Sequence, residues 1–232
     1  MLILALDTSS LSGSVAALRD ESLLGVVSTR GSENYSSRLF RHLDFLLQDL
    51  SLKLQDFDLF AVSAGPGSFT GLRVGLAAAK GWAEVYAKPV AGISALEAVA
   101  AQSPSRSRIL VPVLDARRSQ FYFGIYRNLP QARTLEGDER VATPDEFVDA
   151  IRDFSADAPV TIVAADAALL GGVMPRLNDH LAQVDIVSCV LAPAIGRLGL
   201  ERARFGVLSD SLSLDANYVR RSDAELNWKC PQ

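Results

Sequence analysis

LILALDTSSLSGSVAAL, residues 2 to 18, is the stretch that decides the fold, because it joins two apolar runs through an acidic turn. The first run ends at Leu6, then Asp7 and the turn Thr8-Ser9-Ser10 follow, and the second run covers Ser14 to Leu18. Short apolar runs bounded by turn residues are typical of buried strands. The stretch therefore predicts a strand, an acidic turn and a second strand.

A second copy of this pattern begins at Ile109, and the two copies match in a register of 108 residues. The apolar run that ends at Leu114 is followed by the turn DARRS, residues 115 to 119, and by the aromatic run Phe121 to Tyr126. In this register Asp7 matches Asp115. The repeat favours a duplicated architecture, although two short strand-turn-strand segments can also resemble each other by chance.

Further elements follow in the same order in both halves of the chain. The first half predicts strands at 23–28 and 59–64 and helices at 36–50 and 71–86. The second half predicts a helix that begins at Thr143 and Pro144, a strand at 161–165 and a helix at 191–205. This order is that of an α/β protein with two tandem ribonuclease-H-like lobes, each a mixed sheet with flanking helices. The polar segment AQSPSRSR at 101–108 separates them and predicts domains at 1–105 and 106–232.

The glycine-rich segment SAGPGSFTGLRVGLAAAKG, residues 63 to 81, passes from a strand into a helix that Ser68 or Thr70 caps. Gly65 and Gly67 allow close backbone approach, and free N–H groups at a helix start can bind an anion. However, the spacing matches neither the dinucleotide nor the Walker phosphate fingerprint. The segment is thus either a tight strand-to-helix turn or a contact to a nucleotide.

Small residues recur on one face of the helix at 71–86, at Gly71, Gly75 and Ala79 with Ala78 beside them. Glycine inside a helix costs about 0.8–1 kcal/mol relative to alanine, so close packing must offset it. The helix at 36–50 carries an apolar stripe that is wide for a single core face. Its members are Leu39, Phe40, Leu43, Leu46, Leu47 and Leu50. Either packing in the core or an interface with a partner would explain these two helix faces.

Asp7 and Asp115 face each other across a cleft if the duplication is correct, and two carboxylates suit a hydrated hard cation. The alternative is that Asp7 caps its own turn. His42 and His180 stand alone, and Cys189 and Cys230 are far apart, so that we expect no metal held by histidine or cysteine.

Composition narrows the function classes further. The net charge of -4 disfavours tight RNA binding by the chain alone, because phosphate neutralisation supplies most sequence-independent affinity. The basic cluster Tyr218 to Arg221 is too short to follow a nucleic-acid backbone. No apolar run reaches the roughly 18–20 residues that span a bilayer, and MLILALDTSS lacks signal-peptide features. We therefore expect no membrane contact and a cytoplasmic location.

Several stretches resemble the TsaB (YeaZ) family over nearly the whole chain: ILALDTSS, GPGSFTGLRVGLAAAKG, VLDARRS and the YVRR of 218–221. The resemblance implies two lobes of the ASKHA (actin-like ATPase) superfamily. It also implies a complex with the catalytic paralogue TsaD and the ATPase TsaE, which installs threonylcarbamoyl on N6 of adenosine 37 in tRNAs that read codons starting with A. The helices at 36–50 and 71–86 would form the surface for TsaD, or for a second copy of the chain when TsaD is absent.

Two departures limit what the resemblance implies. The catalytic paralogue holds its metal through a histidine pair, and the corresponding segment Tyr35-Ser36-Ser37-Arg38 has none. Asp166-Ala167-Ala168 stands where an adenosine site would need glycines. We expect a non-catalytic subunit that has no firmly bound cofactor and meets ATP or ADP, Mg²⁺ and tRNA only within the complex. The alternative is an autonomous ATP-dependent kinase or phosphotransferase of the same fold.

Overall fold

The computed structural model describes residues 1–31, 35–129, 132–155, 159–177, 181–208, 211 and 213–220. Among them, the first half of the chain forms a five-stranded sheet in the order β3-β2-β1-β4-β5. Its strands are β1 (Leu2–Asp7), β2 (Ser14–Arg19), β3 (Ser22–Ser28), β4 (Leu59–Gly65) and β5 (Val90–Ser94). The central strand β1 pairs antiparallel with β2 and parallel with β4, so the sheet is mixed as predicted.

Helices cover both faces of this first sheet. They are α1 (Leu39–Leu50), α2 (Phe69–Tyr86), α3 (Ala95–Ala100) and α6 (Ala192–Arg204). Side chains alternate along a strand, so Leu4 and Leu6 point into the core beneath α1 and α2. Ile3 and Ala5 point into the opposite core, which α3 and α6 complete.

The second half repeats the plan around a sheet of seven strands within the described ranges. Its strands are β6 (Ile109–Asp115), β7 (Phe121–Phe123), β8 (Tyr126–Leu129), β9 (Ala132–Leu135), β10 (Arg140–Ala142), β11 (Val160–Ala164) and β12 (Leu181–Ile186), and its own helices are α4 (Pro144–Phe154) and α5 (Met174–Leu177). The central strand β6 pairs antiparallel with β7 and parallel with β11, as β1 does with β2 and β4. The predicted duplication is confirmed.

The register of 108 residues is correct for β1 and β6 but wrong for the strands that follow. Asp7 pairs with Ser14, whereas Asp115 pairs with Phe121, because the second turn is one residue shorter than the first. The aromatic run predicted as one strand is interrupted after Phe123, and a new strand starts at Tyr126. The predicted start of α4 is confirmed, since Thr143 caps the helix and exchanges hydrogen bonds with Glu146.

Helix α6 packs on the first sheet rather than on the second, and it contacts β1, β2, β4 and β5. Gly196 lies over Leu18 and Ala5, and Gly199 lies over Ala61, where a Cβ atom would be too close. The Ala192 N–H also donates to Ser14 Oγ at 3.0 Å. The predicted division into domains at residues 105 and 106 stays a prediction, because α6 follows that division in the chain but packs on the first sheet.

None of the helices in the described ranges is long and apolar enough to cross a lipid bilayer.

Candidate functional site

The DTS turn and the glycine-rich segment, found separately in the sequence, form one internal joint. The Ser9 N–H and hydroxyl donate to Asp7 Oδ1 at 2.9 and 2.6 Å, which closes the turn. The Ser68 N–H donates to the Ser9 carbonyl at 2.7 Å, and the Thr8 hydroxyl donates to the Gly71 carbonyl at 2.7 Å. Ser68 also caps α2, as predicted, by accepting the Gly71 N–H at 3.3 Å. The joint fixes the start of α2 on the end of β1.

The glycines of this segment allow the two backbones to approach. A Cβ atom on Gly67 would lie 2.5 Å from the Ser9 carbonyl oxygen, and one on Gly71 or Gly75 would overlap Thr8. Ala79 is fully buried on the same helix face. The interpretation of this face as open to a partner is therefore wrong for Gly71, Gly75 and Ala79, because the chain itself fills the space.

Gly65 also serves packing within the chain. Its φ of +113° is in the region that favours glycine, and a Cβ atom there would lie 2.7 Å from the Asn217 carbonyl oxygen. The Asn217 N–H donates to the Ala64 carbonyl at 2.7 Å. We refer to residues 213–220 as the C-terminal segment. It lies across the end of β4, at the glycine-rich segment for which the sequence left open contact with a nucleotide.

The two candidate carboxylates lie in different surroundings. Asp7 is fully buried, and among the described residues its Oδ2 has no hydrogen-bond partner. Burial raises the pKa of Asp7, against the effect of its hydrogen bonds from Ser9. Asp115 is exposed and binds its own turn, since Oδ1 accepts the Arg117 N–H at 2.7 Å and Oδ2 lies 3.4 Å from Arg117 Nη1. Asp7 caps its turn, and the described residues contain no cluster of three or more acidic, histidine or cysteine side chains that fits a metal.

The cleft between the lobes has a volume of about 580 Å³ and a hydroxyl-rich wall. Its lining includes Ser9, Ser10, Ser12, Ser68, Gly67, Asp115 and Asp166, but neither Asp7 nor Gly65. Asp166 accepts the Ala168 N–H at 2.9 Å and so caps a short turn of helix. The cleft has room for a nucleotide, but of the two expected carboxylates only Asp115 reaches it.

No nucleophile and base meet in this cleft among its described lining residues. Cys189 is a free, exposed thiol at the cleft, and the described lining contains no histidine. His42 lies on α1 with its Nδ1 atom 2.8 Å from the Tyr35 hydroxyl, and burial lowers its pKa. His180, Cys230 and Arg221 lie outside the described residues.

The apolar positions predicted on α1 and α2 divide into core and surface. On α1, the side chains of Leu39, Leu43 and Leu46 are buried in the core, and those of Leu47 and Leu50 are half-buried at the edge of the helix. Phe40 is 58% exposed, and its ring meets the Trp82 ring edge-on at 6.5 Å between centroids.

The surface continues along α2. Val85 is 74% exposed, and a Cβ atom on Gly81 would meet nothing within 4 Å. We call this apolar area the helix surface; its members are Phe40, Val74, Ala78, Gly81, Trp82 and Val85. Sequence reasoning included Phe40 and Ala78 but missed the others, although an unexplained glycine inside a helix was a usable signal for Gly81.

A half-buried carboxylate that sequence reasoning missed, Glu139, links the two lobes. Glu139 Oε1 accepts hydrogen bonds from the Ser94 hydroxyl and, at 2.6 Å, from the Tyr126 hydroxyl. Its Oε2 accepts from Asn217 Nδ2 at 2.6 Å. Burial raises the pKa of Glu139, and the nearby Glu97 adds to this effect. One side chain thus joins the first sheet, the second sheet and the C-terminal segment.

The turn between β6 and β7 is strained. Arg117, Arg118 and Ser119 have φ values of 64°, 53° and 56°, a left-handed run without glycine. Each such residue costs roughly 1–2 kcal/mol relative to an ordinary backbone conformation. The Arg117 N–H bond to Asp115 and the Gln120 N–H bond to the Arg117 carbonyl hold the turn closed. In the sequence this turn stood out only as part of a repeat.

Comparison with known proteins agrees with these features. Residues 14–157 match the family model described as TsaD, tRNA N6-adenosine threonylcarbamoyltransferase. The tRNA threonylcarbamoyladenosine biosynthesis protein TsaB of Bacillus subtilis (strain 168) is 36% identical over 234 residues, which cover 98% of each chain.

Solved structures show the same fold. A Pseudomonas aeruginosa crystal structure described as similar to peptidase YeaZ has a TM-score of 0.77 and 25% identity, covering 94% of this chain and 99% of that one. The ethanolamine utilization protein EutJ of Carboxydothermus hydrogenoformans has a TM-score of 0.56 at 11% identity, covering 86% and 90%, and supports the actin-like fold alone. Taken with the full-length match to TsaB, these likenesses show that the chain belongs to the TsaB (YeaZ) family.

Proposed function

We propose that the chain is a non-catalytic subunit of the assembly that forms N6-threonylcarbamoyladenosine at adenosine 37 of tRNAs reading codons that start with A. The catalytic subunit TsaD is its direct partner, and the ATPase TsaE joins the assembly. The full-length likeness to a TsaB protein supports the pathway. The exposed helix surface is the single observation that carries the role as a partner-binding subunit.

The helix surface suits a partner that brings helices of its own. The apolar side chains of Phe40 and Val85 are exposed to water, which costs free energy. A partner that covers them removes this cost, and exposed apolar areas of this kind mark interaction sites. Gly81 weakens α2 by about 1 kcal/mol without any contact inside the chain that requires it. A small residue there lets a second helix approach closely. In the absence of TsaD, a second copy of this chain covers the same surface.

The non-catalytic role is supported by the chemistry of the described residues. Asp7 is buried and does not line the cleft, so Asp115 alone would have to hold Mg²⁺ and a nucleotide there. His42 is occupied by Tyr35 and stands away from the cleft. These arrangements disfavour an autonomous kinase or phosphotransferase. ATP or ADP, Mg²⁺ and tRNA are then encountered within the cytoplasmic complex, and none is firmly bound by this chain.

The test is the variant Gly81→Leu, which places a bulky side chain at the centre of the helix surface. Because nothing lies within 4 Å of that position, the chain should fold as well as the wild type. Co-purification with TsaD should be lost. The matched control is Gly172→Leu, the same exchange at another exposed position with open space, on the second lobe.

A reconstitution tests the pathway itself. The wild-type chain is added to TsaD, TsaE and the enzyme that makes threonylcarbamoyl-adenylate, and tRNA modification is measured. Modification should depend on the chain and should be lost with Gly81→Leu but retained with Gly172→Leu. Equal modification without the chain, or ATP-dependent phosphorylation by the chain alone, would overturn the proposal.

A further inference from the structure

The edge strand β3 of the first sheet has an open side. Among the described residues it pairs only with β2, so the backbone N–H and C=O groups on its other side have no strand partner. The side chains of Leu23, Leu24 and Val26 are exposed. Residues 22–28 contain neither a charged residue nor a proline, which commonly protect an edge strand. Such an edge is a template on which another strand can pair.

Phe45 extends this apolar edge onto α1. Its side chain is 62% exposed, and residues 42 and 45 lie on the same flank of the helix. His42 Nε2 lies 3.5 Å from Oγ1 of Thr29, which follows β3, so this flank borders the edge strand. Phe40 is on the other flank, where its ring meets Trp82. We call the apolar edge the edge surface; its members are Leu23, Leu24, Val26 and Phe45.

The sequence of β3 is nearly symmetric about Gly25. In SLLGVVS, serine stands at both ends, and two aliphatic residues stand on each side of the glycine. When two copies pair antiparallel with Gly25 opposite Gly25, Ser22 lies opposite Ser28 and Leu24 lies opposite Val26. Each strand therefore offers the other residues of the same kind, as a twofold interface between identical chains requires.

Charged residues beyond the strand fit the same register. Asp20 and Arg30 are equally far from Gly25 in the sequence, so Asp20 of one copy lies opposite Arg30 of the other. Both side chains are exposed. Asp20 binds the N-terminal ammonium group at 2.8 Å, yet its side chain remains 58% exposed. The twofold axis produces two such pairs, and opposite charges at facing positions favour this register over others.

We propose that two copies of the chain associate through β3, which joins their five-stranded sheets into one continuous sheet. Hydrogen bonds between the two strands supply affinity, and burial of the edge surface adds to it. The interface is the same patch on both copies, so it closes as a dimer. A bulge leaves Leu24 without a partner on β2 and twists the strand, so we expect the association to be weak.

The dimer is separate from the helix surface and does not depend on the proposed function. Sedimentation equilibrium measures it in full-length chains that carry Phe40→Ala, so that the helix surface does not contribute. This parent chain should dimerise. Adding either Arg30→Glu or Asp20→Lys places like charges opposite each other, and each should raise the dimer Kd at least about tenfold. An equimolar mixture of these two variants should restore dimers, because every facing pair again joins opposite charges.

Val26→Lys tests the strand itself, because an exposed lysine is a common protection of edge strands. It should also raise the dimer Kd at least about tenfold, while the far-ultraviolet circular dichroism stays that of the parent. The matched control is Ile186→Lys, since Ile186 is an exposed aliphatic residue on β12, the edge strand of the second sheet. It should dimerise like the parent.

Three results would overturn the proposal. The first is a parent chain that stays monomeric up to about 1 mM, the weak end of specific association. The second is a mixture of the two charge variants that fails to restore dimers. The third is an equal effect of Val26→Lys and Ile186→Lys on the dimer Kd.

Discussion

The Cα atom of Gly75 faces the side chain of Thr8 so closely that a methyl group on Gly75 would overlap the Thr8 hydroxyl oxygen. The same hydroxyl donates to the Gly71 carbonyl at 2.7 Å. The small-residue face of α2 thus receives the turn after β1. This contact explains the glycines in α2 by packing within the chain, because they let the helix lie directly on the turn that follows β1.

We expect Gly75→Ala to destabilise the chain by about 1–3 kcal/mol, because the added methyl group must displace Thr8 or move α2. The measurement is urea denaturation. Gly81→Ala is the control on the same helix, and it should stabilise by roughly 0.5–1 kcal/mol because its Cβ meets only open space. Equal stability of Gly75→Ala and the wild type would contradict the packing of this face against Thr8.

The order of elements was predictable because the repeat appears in strands that are central and apolar. β5 and α3 were missed, since Val90–Ser94 follows a helix after a short link and Ala95–Ala100 is too short to show a helical period. The short strands β9 and β10 lack a pattern for the same reason. The packing of α6 on the first sheet depends on contacts between residues that are far apart in the sequence, so the order of elements along the chain does not predict it.

Asp7→Asn should change how stability depends on pH. Burial raises the pKa of Asp7, so the folded state binds the proton more tightly than the unfolded chain does. The contribution of Asp7 to stability is therefore complete below about pH 4, the ordinary range for aspartate, and is lost as the pH rises through the raised pKa. We expect the variant to gain stability relative to the wild type as the pH is increased from that value to neutrality.

Denaturation at a series of pH values measures this difference. The side-chain oxygen of the introduced asparagine can still accept the two hydrogen bonds from Ser9, so the turn is retained. Asp115→Asn is the control, since Asp115 is exposed and caps an equivalent turn. A difference between Asp7→Asn and the wild type that does not change with pH would show that the buried carboxylate is not the cause.

The candidate site was predicted less well than the fold, and the reason is visible in particular residues. The sequence identified Asp7 and the glycines as unusual, but it could not distinguish contact with a ligand from contact with each other. Glu139 has no motif, since its donors Ser94, Tyr126 and Asn217 come from distant parts of the chain. Trp82 and Val85 were missed because exposure on a helix flank depends on where the neighbouring helix ends.

Glu139→Ala should loosen the junction of the two lobes. It leaves three donors without their acceptor, on Ser94, Tyr126 and Asn217, and we expect a loss of about 1–3 kcal/mol. Hydrogen exchange should increase in β5 and in the C-terminal segment. Glu136→Ala is the control, because that carboxylate is paired with Arg127 at an exposed site and should matter little. Unchanged exchange in both regions would show that Glu139 does not hold the lobes together.

Phe40 and Leu43 lie less than one turn apart on α1, yet they should respond to truncation in opposite ways. Leu43 is 4% exposed within the core, so Leu43→Ala should cost about 2–5 kcal/mol. Phe40 is 58% exposed, so Phe40→Ala should change stability little and instead reduce self-association, measured by sedimentation equilibrium over a range of concentrations. Because the two substitutions truncate neighbouring apolar side chains, any general effect on α1 would appear in both. Loss of association without loss of stability in Phe40→Ala places the function of α1 on its exposed flank; association equal to that of the wild type would contradict this assignment.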